Sequence, residues 1–330
     1  MMRKTVYGMA ALLAMAACTD AGPAEPDDAI GLRAHQYLMD ALDVMEFNSV
    51  RRYEIDWIDF REQSLAEAAG AMTILEIHPV IESALERIGD GHSFFRPPVS
   101  SAPPAEGDDP SARLIGEVGY LDVPAYSGGG ADGDALALRY HQLIQGVDTL
   151  PGETCRWVVD LRGNTGGNMW PMIAGVGPIL GEDTVGFFVD PDSVRKSWVY
   201  SAGQARLDLQ AINGATPAYE LVAPLPHVAV LTDSLTASSG EAVAVAFRGR
   251  PGARSFGGAT WGVSTANAPF LLSDGAVIFL TVSTMVDRSG QIYGQELPPD
   301  EVVTGQKTGD PQTDEVLGAA LDWLATQSCA

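Results

Sequence analysis

The chain has 330 residues, 46% of them apolar, with 43 acidic against 20 basic side chains and a formal charge of -23. That length holds one large domain or two small ones with a full core, and so acidic a chain excludes nucleic acid and anionic membrane surfaces as partners. Its three cysteines and five histidines never fall at ligand spacing, so neither a metal nor another cofactor is expected.

At the N-terminus Arg3 and Lys4 precede an uncharged apolar run, Val6 to Ala17, too short to span a bilayer. The run ends in Met-Ala-Ala-Cys, which resembles a bacterial lipobox. Residues 1–18 therefore read as a signal peptide, with Cys18 as the lipidated first residue of an exported protein of the periplasm or outer membrane. Ordinary cleavage to a soluble secreted product stays open. Residues 19–28, rich in Asp, Glu and Pro, form an acidic tether. Cys155 and Cys329, the other cysteines, are a candidate disulfide in an oxidising compartment.

Residues 29–96 read as a helical domain. Ile30, Ala34, Tyr37, Leu38, Ala41, Leu42 and Met45 recur at helical spacing, and Trp57 to Ala69 and Leu75 to Ile88 repeat the pattern, punctuated by Gly70 and Pro79. The segment ends on a glycine-flanked histidine, His92, before Phe94 and Phe95. Residues 97–112 are a Pro/Ser/Gly-rich linker. From 113 to 330 strands, glycine-rich turns and helices alternate, which predicts an α/β core. Strands are expected at Leu114 to Val118, Tyr120 to Val123, Arg156 to Leu161, Thr184 to Val189 and Ser197 to Ser201, with helices at Ala131 to Val147 and Asn168 to Leu180. A less regular stretch runs to Pro226. Short strands around Arg254 to Gly257, Phe270 to Leu272 and Ala276 to Val282, then a helix from Asp314 to Thr326, complete the chain. The glycines after Leu161 fit neither GxGxxG nor GxxxxGK[ST], so nucleotide binding is not expected.

The core is organised around residues 227–250. A β-branched run, Val228 to Leu231, breaks at Thr232 to Ser234 and restarts as an Ala/Val helix from Glu241 to Phe247. Ser238 lies on the turn between them. A hydroxyl there is pushed out of the sheet edge beside N–H groups that carry partial positive charge, the setting of a nucleophile next to an oxyanion hole. The plainer alternative is a helix N-cap. A serine nucleophile needs a base. The last histidine, His227, precedes Ser238, which excludes the Ser, acid, His order of α/β-hydrolases, and the mature lysines, Lys196 and Lys307, lie in no buried context. What remains is the order His, Ser, acid.

The segments DGHSFF (90–95), GYLDVPAY (119–126), VVDLRGNTGG (158–167), VAVLTDSLTASSGEAVAVAF (228–247), GGATWG (257–262) and GQELPPD (294–300) together resemble peptidase family S41, the tail-specific or C-terminal processing proteases. The resemblance covers about residues 70–305. It implies a crotonase/ClpP-like spiral ββα core, serine endopeptidase activity and a peptide or unfolded protein as substrate. It matches Ser238 to the family nucleophile. The lysine of the processing branch falls where this chain has Val263, whereas the tricorn-like branch uses a histidine and a downstream glutamate, matched by His92 and Glu296. That branch carries serine before its histidine. Here Gly91 stands there, leaving Glu296, Ser93 or Asp90 to orient the ring. The oxyanion hole would combine the backbone N–H of Ser239 with that of Gly166 or Gly167. About 20 residues separate Phe95 from Leu114, too few for the PDZ module of many relatives. The competing expectation is a non-catalytic scaffold whose cleft binds a peptide or apolar ligand.

Overall fold

A computed structural model describes residues 29–98, 108–151 and 154–329; the signal segment with Cys18, the tether and most of the linker lie outside them. The described chain begins with α1 (Leu32–Asn48), α2 (Trp57–Glu67) and α3 (Ile74–Ile88), followed by β1 (Phe94–Arg96), β2 (Ser111–Ile115), β3 (Val118–Asp122) and α4 (Gly130–Asp148). The middle of the chain forms β4 (Arg156–Asp160), α5 (Met169–Leu180), β5 (Asp183–Val189), β6 (Arg195–Ser201), β7 (Gln204–Leu207), β8 (Gln210–Gly214), β9 (His227–Thr232) and α6 (Ser239–Phe247). Last come β10 (Ala253–Gly257), β11 (Thr265–Leu271), β12 (Val277–Asp287), β13 (Glu301–Val302) and α7 (Glu315–Ala325).

The strands build two sheets. One has the order β13-β10-β9-β4-β3-β2 and is parallel except where β2 meets β3. The middles of its inner strands are apolar, Trp157 to Val159 and Val228 to Leu231 being almost fully buried, because α4, α5 and α6 cover one face and α7 the other. The second sheet is antiparallel, β1-β12-β5-β6-β7-β8, with β11 paired to β12. On β12 the side chains alternate: Ile278 and Leu280 pack into the core of α1 and α3, while Phe279 faces the other way. The expected α/β architecture with a leading helical segment is what forms.

Three local expectations change. Pro79 does not interrupt α3 but sits inside it, five residues from its start. The helix gives up the bond that an N–H at position 79 would make to Leu75 O, and the Thr73–Glu76 capping box anchors its first turn. The stretch before Pro226 holds a regular hairpin, β7 and β8, whose short strands carry too little alternation to stand out. The aromatic pair after His92 becomes β1, an edge strand paired with Val277 to Phe279. Cys155 and Cys329 are joined by a disulfide with a Cα separation of 5.7 Å, tying the end of α7's segment to the entry of β4.

Candidate active site

The central strands β4 and β9 are parallel neighbours, so the loops leaving their carboxyl ends lie side by side, the usual place for a site in an open α/β sheet. The loop after β9 is tied to the loop after β4 by several bonds. Asp233 Oδ1 accepts from the N–H groups of Leu235 and Thr236, and from that of Gly163 across the gap. Thr236 Oγ1 donates to Leu161 O, and Ala237 N–H donates to Asn164 O. A Cβ on Gly240 would stand 2.7 Å from Asn164 O, so only glycine permits this approach.

On that scaffold Ser238 is held at φ 51°, ψ -111°, a conformation that a residue with a Cβ adopts at a cost of about 1–3 kcal/mol. The opposing support is Glu241, completely buried. Its Oε2 accepts from Ser238 N–H at 2.8 Å and Val263 N–H at 3.0 Å; its Oε1 accepts from Thr260 Oγ1 at 2.6 Å and Gly262 N–H at 3.1 Å. Burial pushes this carboxyl up from its ordinary pKa, while the four donors work in the opposite direction.

The histidine comes from the end of the helical segment. Asp90 Oδ1 accepts from the N–H groups of His92 and Ser93 and so fixes the turn, with Gly89 and Gly91 both at positive φ. Asn267 Nδ2 donates to His92 O. The ring spans the cleft: Nε2 lies 3.0 Å from Ser238 Oγ, and Nδ1 lies 2.7 Å from Thr265 Oγ1 on β11. Burial holds the imidazole below its ordinary pKa of 6.5, opposed by the charge of Asp90. The neutral ring is therefore favoured. With its proton on Nδ1 directed at Thr265, it offers an Nε2 lone pair to the serine hydroxyl.

The third predicted member does not join them. Glu296 is exposed and makes no hydrogen bond to His92, whose second nitrogen is occupied by Thr265. Ser93 and Asp90 do not reach the ring either: Ser93 Oγ donates to Asp90 Oδ2, and Asp90 serves the backbone. Thr265 thus takes the place foreseen for an acid. A threonine in a strand gives no sequence signal beyond β propensity, and only the position of Val263, two residues earlier at the edge of the site, marked the neighbourhood.

The proposed oxyanion donors also separate. Gly166 N–H is bound to Asn164 Oδ1 at 2.9 Å and is not available. The N–H groups of Ser239 and Gly167 have no partner among the described residues, and both residues line the cleft beside Ser238. Ser239 Oγ donates to Gly167 O at 2.8 Å, locking the two loops together. Ser239 is the first residue of α6, where the N–H is left over by the helix itself. His227 begins β9 and so lies at the far end of the strand from the Ser238 turn. His141 is buried on Ala174 O and Tyr219 N–H, and His78 pairs with Asp274.

Ser238 and His92 open into a cleft of about 1090 Å³ with mostly apolar walls, including Met169, Trp170, Phe188, Trp261 and Phe279. No group of metal-ligating side chains occurs among the described residues.

Parallel strands whose adjoining loops bring a strained serine against a neutral histidine define a class: an α/β protein with a hydroxyl–imidazole pair at the carboxyl ends of its strands. The model of peptidase family S41 matches residues 117–303, and the chain belongs to that family. It is 27% identical over 275 residues to a nisin-resistance protein of Lactococcus lactis subsp. lactis, covering 82% of this chain and 81% of that one. It is 29% identical to a carboxyl-terminal-processing protease of Synechocystis, covering 76% of this chain but only 53% of the relative. Among solved structures, a lipoprotein from Streptococcus agalactiae superimposes with a TM-score of 0.68 at 24% identity, covering 89% of this chain and 96% of that one. The photosystem II D1 C-terminal processing protease superimposes with a TM-score of 0.55 at 14% identity, covering 82% and 93%; both likenesses are of fold.

Proposed function

We propose that the protein is a serine endopeptidase in which Ser238 is the nucleophile and His92 the general base. The observation that carries this reading is the 3.0 Å approach of His92 Nε2 to Ser238 Oγ across 146 positions of sequence, on a serine held in a strained conformation. In the proposed sequence the hydroxyl proton passes to Nε2 as Oγ attacks the scissile carbonyl. His92 then gives that proton to the departing amine, and water releases the acyl group by the same route. The N–H groups of Ser239 and Gly167 would face the developing oxyanion, each such donor contributing about 3 kcal/mol to the transition state. Thr265 would hold the ring, making the machinery a dyad with a hydroxyl partner rather than a Ser/His/Glu triad.

Residues 113–330 would form the catalytic unit and 29–96 a helical unit that delivers His92. Export, with a lipid anchor at Cys18, is proposed from the leader. Family membership supports peptide or unfolded protein substrates, and nisin, named in the Lactococcus relative, is the first defined peptide to offer. Ser238→Ala should abolish hydrolysis while leaving the melting temperature unchanged, and a fluorophosphonate should label Ser238 in the unmodified protein. The second reading, a binding scaffold, is favoured by the exposed Glu296 and by Val263 where the processing branch has lysine. An unlabelled Ser238 with unaltered peptide binding in the alanine variant would decide for it.

A further inference from the structure

Ser238 belongs to the core, whereas His92 hangs from a turn at the end of the helical segment, so something in the core has to fix the ring. Asp90 shapes that turn from within, accepting from the N–H groups of His92 and Ser93. Apart from Ser238, only Thr265 and Asn267 hydrogen-bond to His92 from the core among the described residues. They stand two apart on β11 and therefore share a face of it. Thr265 meets the ring, and Asn267 Nδ2 donates to the backbone carbonyl at 2.8 Å.

The bond from Asn267 crosses a strand. β11 pairs with one edge of β12, while β1 and β5 pair with the other, at Val277 to Phe279 and at Thr284 to Asp287. Between them Leu280 to Ser283 meet no strand on that edge, and the turn of His92 fills the gap: Thr281 N–H donates to Ser93 Oγ, and Thr281 O accepts from Val50 N–H. Asn267 stands opposite Thr281 in the β11–β12 ladder, and its amide reaches past that fully buried threonine to the far edge. Thr281 Oγ1 donates to Asn267 Oδ1 at 2.9 Å. Since the His92 carbonyl can only accept, the orientation of the amide is determined and both its ends are held. Gly91, at φ 69° and with no atom within 4 Å of where a Cβ would stand, leaves the turn without packing of its own at that point. A shift of about 0.5 Å would take the 3.0 Å approach of Nε2 to Ser238 Oγ out of hydrogen-bond range.

We propose that Asn267 is a positioning residue: it holds the backbone of His92 at the height from which Nε2 reaches Ser238, while Thr265 selects the tautomer. The inference rests on the peptidase reading of Ser238 and His92. Although Asn267 lines the cleft, both ends of its amide are bonded within the protein, so it acts through His92 and not on the substrate.

Steady-state kinetics, fluorophosphonate labelling and imidazole nitrogen NMR on the full chain test this. Asn267→Ala should lower kcat about tenfold, the scale of one lost hydrogen bond, with KM little changed and labelling of Ser238 slowed in proportion. Asn267→Asp keeps the shape and the bond from Thr281, but as a carboxylate it has no donor for the His92 carbonyl, so it should not recover activity. Thr281→Val, which frees Oδ1, should lose less than Asn267→Ala, and Thr281→Ser should recover that loss. In the spectra, Asn267→Ala should keep the proton on Nδ1 but move the titration of the ring up towards 6.5, as the imidazole leaves its buried setting. Thr265→Val should change the tautomer instead. Unaltered kcat and labelling in Asn267→Ala, recovery by Asn267→Asp, or a rise in KM alone overturns the proposal and leaves the peptidase reading standing. If the unmodified protein neither cleaves peptide nor takes the label, the peptidase reading falls, and the titration of the ring decides on Asn267 by itself: a rise in Asn267→Ala upholds its hold on His92, and no change overturns it.

Discussion

At Thr265 one hydroxyl decides which nitrogen of His92 carries the proton. Because the ring is held below its ordinary pKa of 6.5 by burial, the neutral form persists into mildly acid solution, and the acid limb of kcat/KM should have its midpoint below that value. The sign for stability follows from the same shift. The unfolded chain binds this proton more readily than the folded one, so the His92 contribution to stability is present above 6.5 and is lost as the pH falls towards the depressed folded value. Thr265→Val removes the partner of Nδ1. It should lower kcat about tenfold with KM little changed, the scale of one lost hydrogen bond, and Thr265→Ser should restore it. A steady-state pH profile of the three proteins checks both statements; equal kcat values would mean that the ring is oriented by something else. Sequence order narrowed the chemistry to a histidine ahead of the serine, and the family resemblance then pointed to His92 and Ser238. It could not select Thr265, because the bond to His92 spans 173 positions between two segments with no local relation.

The turn that carries Ser238 is an element with two anchors, Asn164 behind it and Glu241 beneath it. Glu241 joins it to the 260–263 turn through four donors. Glu241→Ala leaves those donors facing a dry gap and should destabilise the protein by about 3 kcal/mol or more, together with loss of hydrolysis. Glu241→Gln keeps the shape but turns an amide donor against donors, so a melt intermediate between the two proteins is expected. Thermal unfolding of both variants tests this. A helix N-cap at Ser238 was one reading of the sequence, and the strand-turn-helix around it was legible because β-branched and Ala/Val-rich runs differ in period. The hairpin at β7 and β8 was not, since four or five residues of mixed polarity carry no clear alternation. The position of Glu296 was not legible either. A rigid Pro-rich turn fixes the path of the chain without fixing which way a side chain on it faces, and this one faces solvent.

For the molecule as a whole, the helical segment and the core meet at one cleft, His92 coming from the one and Ser238 from the other, 3.0 Å apart. Tyr37 and His78 both bond Asp274, at the β11–β12 turn, at 2.8 Å, which keeps the helices seated on the sheet that carries Thr265. The Cys155–Cys329 bridge closes a loop of 174 positions. Its removal by Cys155→Ser with Cys329→Ser should lower stability by about 2–5 kcal/mol, read as a drop in melting temperature that reductant reproduces in the unmodified protein and not in the variant. The same bridge has a topological consequence. Every covalent path from β4 to α7, including the turn of Ser238 and the strand of Thr265, lies inside that ring, while His92 lies outside it. A nick in any surface turn of the ring would open a circle rather than release a fragment, so a chain cut once there keeps its pieces joined until the bridge itself is reduced.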